Sequence, residues 1–142
     1  MYYIMSEKTD MKSLEILKKR QTKYLPLATK ELKEKRKKIS HYAWWAFPTQ
    51  KRGLSEPYQN KTYLTNKTAL LLLESPPKEW KQYLKQVFKI MKEDKKSIRQ
   101  IFPRNDIGRI DAFITFFCNI IDSQEHKSKW LEEILKHFDK NF

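Results

Sequence analysis

Glycine is almost absent from this chain, whose 142 residues include only Gly53 and Gly108. An all-β fold needs glycines for its frequent turns, and a doubly wound α/β fold needs a glycine-rich loop to bind phosphate. The chain is instead rich in lysine, leucine, glutamate and isoleucine, a composition that favours helices. The sequence therefore predicts an all-α fold.

The length of the chain is sufficient for one domain with a single hydrophobic core. Its aromatic content of 13% is too high for an intrinsically disordered protein. We expect a compact bundle of about five to seven helices, with one helical domain over residues 11–142. Residues 1–10 are expected to form a flexible N-terminus.

The first half of the chain predicts two helices and a long loop. Apolar spacing indicates a helix near 11–22 and a second near 25–38, separated by Pro26, which breaks or restarts a helix. Residues 39–64 show no sustained helical period and contain prolines and a glycine, so we expect a long irregular loop there.

The second half of the chain contains the stronger helical patterns. An apolar stripe with helical period runs from Trp80 to Met91, opposite a row of lysines. From Ile107 to Ile121 apolar residues surround the helix almost completely, which predicts a central, buried helix near 106–121. Shorter helical patterns lie at 65–73, where Thr65 is a suitable N-cap, at 97–102 and at 127–138.

The formal net charge is +13, from 30 lysines and arginines against 17 acidic residues. Such a charge favours polyanions, anionic ligands or anionic surfaces as partners. The alternative is a lysine-rich composition with solvated helix faces, because lysine dominates over arginine and lies at helix-surface spacing.

Cys118 is the only cysteine, so no disulfide forms within the chain and an oxidising compartment is not required. The N-terminus lacks the basic start and long apolar stretch of a signal peptide. The longest aliphatic run, Ala69 to Leu73, is far too short to span a bilayer. We expect a soluble cytoplasmic protein, in the host cytoplasm if the gene is viral, with no membrane partner.

Residues 40–57 concentrate the unusual side chains of the sequence. The segment reads Ser40-His41-Tyr42-Ala43-Trp44-Trp45-Ala46-Phe47-Pro48 and continues to Gly53-Leu54-Ser55-Glu56-Pro57. Aromatic rings, an imidazole and a loop shaped by glycine and proline suit a pocket for a small ligand. They equally suit a loop packed tightly on the core, and the sequence leaves both interpretations open.

The run from Arg36 to Pro48, followed by Gly53-Leu54-Ser55, resembles the signature of a small helical bacterial family of unknown function often labelled calpastatin. That signature is a basic pair, Ser-His, an aromatic residue, a Trp, Phe-Pro and a Gly-Leu loop. A second patch, Ile101-Phe102 with Asp106–Arg109 and Thr115–Phe117, is similar to the family's Ile-Phe, Asp-x-x-Lys and Thr-Leu-Phe stretch. The resemblance implies an all-helical single domain and supplies no reaction.

The resemblance covers about residues 24–138 and includes departures from the family pattern. Arg109 stands where the family tends to have lysine, and Asp111 or Ala112 where serine is common. Ser55-Glu56-Pro57 replaces the usual continuation of the loop. These departures favour a divergent branch, for example one encoded by a virus or a mobile element.

Three residues are candidates for catalysis: His41, Glu56 and Asp111. The imidazole of His41 titrates near neutrality and can act as acid, base or anion ligand, or it can fix the loop by donating to a backbone carbonyl. Glu56 can accept hydrogen bonds from a ribose or lie in solvent. Asp111, if buried, needs a cationic partner such as Arg104 or Arg109, or His41.

The aromatic residues of the loop are candidates for stacking on a nucleobase, which contributes about 1–3 kcal/mol per base. We expect Tyr42 and Trp45 to face a ligand and Trp44 and Phe47 to lie in the core. The alternative is that these rings anchor the loop to the core.

A phosphate group has several predicted partners. Arg104 and Arg109 bracket a helix N-terminus, which attracts anions through its unpaired N–H groups and its dipole. Arg52 and Ser55 in the loop and Asp106 at the helix start complete the predicted ligand-binding set. Asp106 has a strong structural alternative as the N-cap of that helix.

Several kinds of site are poorly supported by the sequence. His126 and His137 are isolated and Cys118 lies in a predicted core helix, so no zinc-binding pattern is present. There is no phosphate-binding loop, dinucleotide fingerprint or nucleophile elbow. No metal and no cofactor is therefore predicted.

Three functions remain, of which we favour the first because the unusual residues are concentrated and the charge is spread. A pocket between the 40–57 loop and the 102–115 helix start would bind a phosphorylated nucleotide-type ligand, such as ADP-ribose or a cyclic nucleotide, and sequester or hydrolyse it. The lysine-rich faces at 18–38 and 78–96 would instead bind nucleic acid without sequence preference. The exposed aromatics would otherwise serve a protein-interaction or inhibitor domain. Catalysis and oligomeric state stay open.

Overall fold

The computed structural model describes residues 2–40, 43–51, 56, 58, 62–123 and 128–142, with side chains from residue 7 onward. This part of the chain forms helices and no strands, so the predicted all-α fold is confirmed. The helices are α1 (Tyr2–Lys35), α2 (Ala43–Ala46), α3 (Asn66–Glu74), α4 (Lys78–Asp94), α5 (Ile98–Ile101), α6 (Arg104–Ser123) and α7 (Lys129–Lys140).

Helix α1 is continuous, and the predicted break at Pro26 does not occur. Pro26 is exposed, while Leu17, Leu25 and Leu32 on both sides of it are buried. Burying large aliphatic side chains contributes about 1.5–3 kcal/mol each, which together exceeds the roughly 3 kcal/mol cost of an interior proline. The division into a flexible N-terminus over 1–10 and a domain over 11–142 remains a prediction.

Helices α1 and α4 pack side by side and run in the same direction. Near the start of α4, Thr22 Oγ1 donates to Glu79 at 3.4 Å. At its end, Arg36 Nε donates to Asp94 at 3.0 Å. Because the residue numbers of both partners increase from the first contact to the second, the two helices are parallel over this length. The apolar stripe predicted for α4 is buried, with Trp80 and Leu84 at 0% exposure, and the Trp80 ring meets Phe113 and Phe117 of α6 and Trp130 of α7.

Helix α3 begins as the sequence predicts, with Thr65 as its N-cap. The Thr65 hydroxyl accepts a hydrogen bond from the backbone N–H of Thr68 at 3.1 Å. In return, the Thr68 hydroxyl accepts from the backbone N–H of Thr65 at 2.8 Å. This reciprocal pair satisfies two of the donors that a helix start leaves without helical partners.

Helix α5 is a single turn, and its first N–H groups donate hydrogen bonds to the last two residues of the chain. The backbone N–H groups of Ile98 and Arg99 donate to the carbonyls of Asn141 and Phe142 at 3.0 and 3.2 Å. The Arg99 guanidinium also lies 4.9 Å from the centre of the Phe142 ring. The last residues of the chain therefore fix the turn that leads into α6.

Helix α6 lies at the centre of the core and contacts α2, α3, α5 and α7. The sequence suggested that apolar residues surround this helix almost completely, but the structure shows one polar face. Asp111, Thr115, Asn119 and Asp122 are exposed, and their spacing places them on one face. Packing covers the rest of the helix, so only this narrow polar face meets solvent.

Helix α2 is also internal, in contact with α1, α4 and α6. The Phe47 ring that follows it meets three other rings edge-on, at centroid distances of 6.0 Å to Tyr83 and 5.3 Å to both Phe102 and Phe113. Residues 43–47, which we call the aromatic segment, are therefore part of the core. No helix within the described ranges is long and apolar enough to cross a membrane.

Candidate functional site

Helix α2 is one turn long, so most of its carbonyl groups have no partner within the helix. Side chains from other helices supply the missing donors. Gln21 Nε2, on α1, donates to the carbonyl of Trp45 at 2.8 Å. Trp80 Nε1, on α4, donates to the carbonyl of Ala46 at 2.9 Å. The backbone of the aromatic segment is thus fixed from two sides.

Arg109 fixes the same segment from α6. Its Nη2 and Nε donate to the carbonyls of Trp44 and Phe47, both at 3.1 Å, and its Nη1 donates to the carbonyl of Lys51 at 3.2 Å. Burial lowers the pKa of this guanidinium from its ordinary value, and the nearby charge of Glu56 partly opposes that effect. Arg109 was predicted to hold a ligand. In the structure its guanidinium donates hydrogen bonds to backbone carbonyls of its own chain.

Glu56, a predicted catalytic residue, is a buried hydrogen-bond acceptor. Its Oε1 accepts from Arg20 Nη1 at 2.8 Å, and from Trp45 Nε1 and Thr62 Oγ1, both at 3.1 Å. The backbone N–H of Thr62 lies 3.1 Å from each of its oxygens. A buried carboxylate requires such compensation, because an unpaired one costs several kcal/mol in desolvation (~3 or more).

Arg20 is a site residue that the sequence analysis missed. It stands on α1 among lysines, and arginine is the preferred cation for buried ion pairs because its planar guanidinium is weakly hydrated. The occurrence of an arginine among lysines was therefore the only feature of the sequence that pointed to a buried ion pair. Its guanidinium carbon lies 5.5 Å from the centre of the Trp45 ring and 4.7 Å from that of Tyr58.

Three aromatic rings form a layered cluster around Arg20, which we call the aromatic wall: Tyr24, Trp45 and Tyr58. The Tyr24 ring stacks on Trp45 with a centroid distance of 4.9 Å and an interplanar angle of 24°. The Tyr58 ring stacks on Trp45 at 5.9 Å and 23°. Trp45 is the buried layer that supports both tyrosines.

The predicted burial of the two tryptophans is reversed in the structure. Trp45 is 0% exposed, whereas Trp44 is partly exposed. Glu56 gives the indole N–H of Trp45 a buried acceptor, which allows that ring to enter the core completely. Phe47 lies in the core as predicted.

A groove of about 290 Å³ runs along the outer side of the aromatic wall. Its lining residues, which define what we call the α1 groove, are Ile16, Lys19, Arg20, Lys23, Tyr24 and Tyr58. Tyr58 is 41% exposed. The Tyr24 and Tyr58 hydroxyls are hydrogen-bonded to each other, and this bond, more than the nearby cations, lowers the pKa of Tyr24. The groove thus combines aromatic rings with positive charge.

The remaining described site residues lie near the start of α6. Asp106 accepts from Lys38 Nζ in an ion pair, and it is the third residue of α6 and not its N-cap. The prediction of a cap at that position is wrong because α6 begins at Arg104. Arg104 and Asp111 are exposed, so Asp111 does not require the buried partner considered above.

The 40–57 loop and the start of α6 do meet, as the sequence predicts, through the three carbonyl contacts of Arg109. Four of the predicted site residues lie outside the described residues. They are His41, Tyr42, Arg52 and Ser55. Their roles, and the pocket expected between the 40–57 loop and the 102–115 helix start, remain predictions.

Within the described ranges, no group of three or more histidine, cysteine, aspartate or glutamate side chains is placed to bind a metal ion. Cys118 is half-buried, and burial raises the pKa of its thiol. A thiol with a raised pKa is protonated at neutral pH and is a weak nucleophile.

Residues 11–141 match the model of a family described as "Protein of unknown function (DUF1810)". The chain belongs to this family. The DUF1810 match contains Arg20, Glu56 and Arg109, so the framework around α2 lies inside the family region. No curated protein and no solved structure matches the chain. The calpastatin label and a viral origin stay expectations.

Proposed function

We propose that this DUF1810 protein binds a small phosphorylated nucleotide-type ligand in the α1 groove. The observation that supports the proposal is the exposed ring of Tyr58 beside three cations of α1. Its neighbours in the groove are Lys19, Arg20, Lys23 and Tyr24. This location is on the α1 side of the aromatic segment, because the side facing α6 is occupied by the contacts of Arg109 with backbone carbonyls.

The aromatic wall suits a nucleobase. Stacking of a base on an aromatic side chain contributes about 1–3 kcal/mol. Tyr24 and Tyr58 are held by the buried ring of Trp45 and by their mutual hydrogen bond. Because these rings are already ordered, little side-chain freedom is lost when a ligand stacks on them.

The cations of α1 suit a phosphate group. Lys19 and Lys23 are exposed and one helical turn apart, so they lie on the same side of the helix, and both line the groove together with Arg20. Lys19 pairs with Glu15 at 3.0 Å, but both side chains are mainly exposed, at 75% and 65%. Such a surface pair contributes about 0–1 kcal/mol, so a phosphate can displace the carboxylate.

The role of Glu56 in this proposal is to hold Arg20 against the rings. Its side chain is 0% exposed and already accepts hydrogen bonds from Arg20, Trp45 and Thr62. A carboxylate in that position is a support and not an acid or base for a bound ligand. We therefore propose binding, with no reaction step assigned to Glu56.

The size of the groove favours a mononucleotide. Its volume of about 290 Å³ lies just below the range for ligand pockets, which is roughly 300–1,000 Å³, so only a small ligand fits. Adenosine monophosphate, a cyclic mononucleotide and the adenosine half of ADP-ribose are of suitable size. These three compounds are the probes for the experiment.

The test compares two variants of the groove with two matched controls by calorimetric titration and thermal shift. Tyr58→Ala and Lys19→Gln/Lys23→Gln alter the groove. Leu27→Ala and Lys30→Gln/Lys33→Gln make the same kinds of change at exposed positions elsewhere on α1.

We expect Tyr58→Ala to weaken binding by about tenfold, equivalent to roughly 1.4 kcal/mol of lost stacking, and the lysine pair to weaken it similarly. The control variants should retain wild-type affinity. Failure of the wild-type protein to bind any of the three probes, or equal losses in groove and control variants, would overturn the proposal.

A further inference from the structure

One face of α4 is a row of lysines, which we call the α4 lysine face: Lys78, Lys81, Lys85, Lys89 and Lys92. Their spacing of three or four residues places them on a single side of the helix. All are exposed except Lys81, which is partly buried. From the first lysine to the last, the helix advances about 21 Å, at roughly 1.5 Å per residue.

The acidic residues of α4 lie away from this face, toward α1. Glu79 accepts from Thr22 at 3.4 Å. Glu93 and Asp94 both accept from Arg36, at 2.9 and 3.0 Å. The acids that would neutralise the lysines are therefore engaged with the neighbouring helix. This segregation of charge goes beyond what a merely lysine-rich composition requires.

The lysines of α1 provide the contrast. Lys19 pairs with Glu15 on its own helix, and Glu31 and Glu34 directly follow the exposed residues Lys30 and Lys33. Acidic and basic residues are mixed over 7–15 and 30–35 of α1, which is typical of an ordinary solvated helix, and Lys19 and Arg20 between these stretches pair with Glu15 and Glu56. Of the two parallel helices, α4 has the longer row of lysines on one face.

The surroundings of the α4 lysine face add further positive charge at its C-terminal end. Lys92 lines a groove of about 540 Å³ together with Lys95, Lys96 and His137. Burial lowers the pKa of His137, and the charges of Lys92 and Lys140 lower it further. Among the described residues, Glu133 is the one acid on the side of α7 that carries His137. It lies four positions before His137 and is exposed.

We propose that the α4 lysine face binds the phosphate backbone of a nucleic acid without reading its sequence. A row about 21 Å long covers roughly six base pairs of a duplex along its axis, at a rise of about 3.4 Å per phosphate of one strand. Lysines present flexible point charges, which suit contacts with successive phosphates. This surface shares no residue with the α1 groove, so the inference is independent of the proposed function.

An anionic membrane is a less suitable partner for this surface. Helices that bind membranes in the plane of the interface insert large apolar side chains beside their cations. The exposed large apolar residues in the described parts of the chain all lie outside α4 and α7. They are Met11, Leu27, Ile39 and Tyr58.

The test is a fluorescence anisotropy titration of labelled single-stranded and duplex DNA of arbitrary sequence, over a series of salt concentrations. Lys85→Gln/Lys89→Gln alters the α4 lysine face. Lys30→Gln/Lys33→Gln on α1 is the control, because it removes the same charge from a mixed surface. Circular dichroism melting shows that each variant is folded.

We expect the wild-type protein to bind both DNAs, with an affinity that decreases linearly with salt on logarithmic axes. The face variant should reduce the magnitude of that slope by about 1.4–1.8, at roughly 0.7–0.9 per lost phosphate contact, and the control by much less. Equal reductions in both variants, no binding at about 50 mM salt, or binding to phosphatidylserine vesicles in place of DNA would each overturn the inference.

Discussion

Arg20 and Glu56 form a buried ion pair in which Nη1 lies 2.8 Å from Oε1. Their side chains are 13% and 0% exposed. The pair joins α1 to the chain that follows the aromatic segment, and Trp45 and Thr62 complete the hydrogen bonding of the carboxylate. The same contact holds the Arg20 guanidinium over the Tyr58 ring, so a structural ion pair also shapes the wall of the proposed ligand groove.

Replacing Glu56 with Gln should destabilise the protein by about 3 kcal/mol or more, because the partly buried Arg20 cation loses its counter-charge. Urea unfolding measures the free energy. Asp111→Asn, the same change at an exposed position, should shift it by no more than about 0.5 kcal/mol. If the two substitutions have equally small effects, the ion pair does not stabilise the fold.

Replacing Arg109 with Met should destabilise the protein by about 3 kcal/mol, because the partly buried carbonyls of Trp44 and Phe47, left without a donor, cost roughly 1–3 kcal/mol each. Arg109→Lys should recover only part of the loss, since one ammonium group cannot reproduce the three-way geometry of the guanidinium. The exposed Arg104 is the control. If Arg109→Met is as stable as Arg104→Met, the hydrogen bonds of Arg109 to backbone carbonyls do not stabilise the fold.

Replacing Lys95 with Gly should stabilise the protein by about 0.5–1 kcal/mol. Lys95 ends α4 in the left-handed conformation, with φ of 53°, where glycine has no steric penalty. Lys89→Gly, made six residues earlier in the interior of α4, should instead destabilise it by about 1 kcal/mol. Thermal unfolding of both variants tests the pair, and a loss of stability in Lys95→Gly counts against this reading of the helix end.

Stability should decrease as the solution becomes more acidic, partly because of His137. Burial and the neighbouring Lys92 and Lys140 lower its pKa below the ordinary value of 6.5. The unfolded chain therefore takes up a proton that the folded protein resists, and the free energy of unfolding decreases as pH falls through that value. Denaturant unfolding should show a weaker pH dependence for His137→Gln. An unchanged dependence would show that His137 does not contribute.

The helices of the second half of the chain were predictable from local patterns. The apolar stripe of α4, the dense apolar run of α6 and the N-cap at Thr65 depend on spacing within one turn or two. Such patterns are visible in the sequence because the residues that cooperate are near neighbours. The continuity of α1 was not visible, because packing against α4 outweighs the effect of Pro26.

The site was predictable in its position along the chain but not in its geometry. Trp45 and Glu56 were both singled out, yet nothing in their spacing shows that a buried hydrogen bond joins them. Arg20 contacts Glu56 across 36 positions of sequence. In a one-turn helix such as α2, neither periodicity nor propensity determines which of two adjacent tryptophans is buried.

The most direct test of the central claim, that the α1 groove binds a nucleotide, is a titration of ¹⁵N-labelled protein with adenosine monophosphate followed by NMR. We predict that the largest saturable shifts of backbone amide signals occur at Lys19, Arg20, Lys23, Tyr24 and Tyr58. Shifts centred on the start of α6 at 104–111, or no saturable shifts at all, would contradict it.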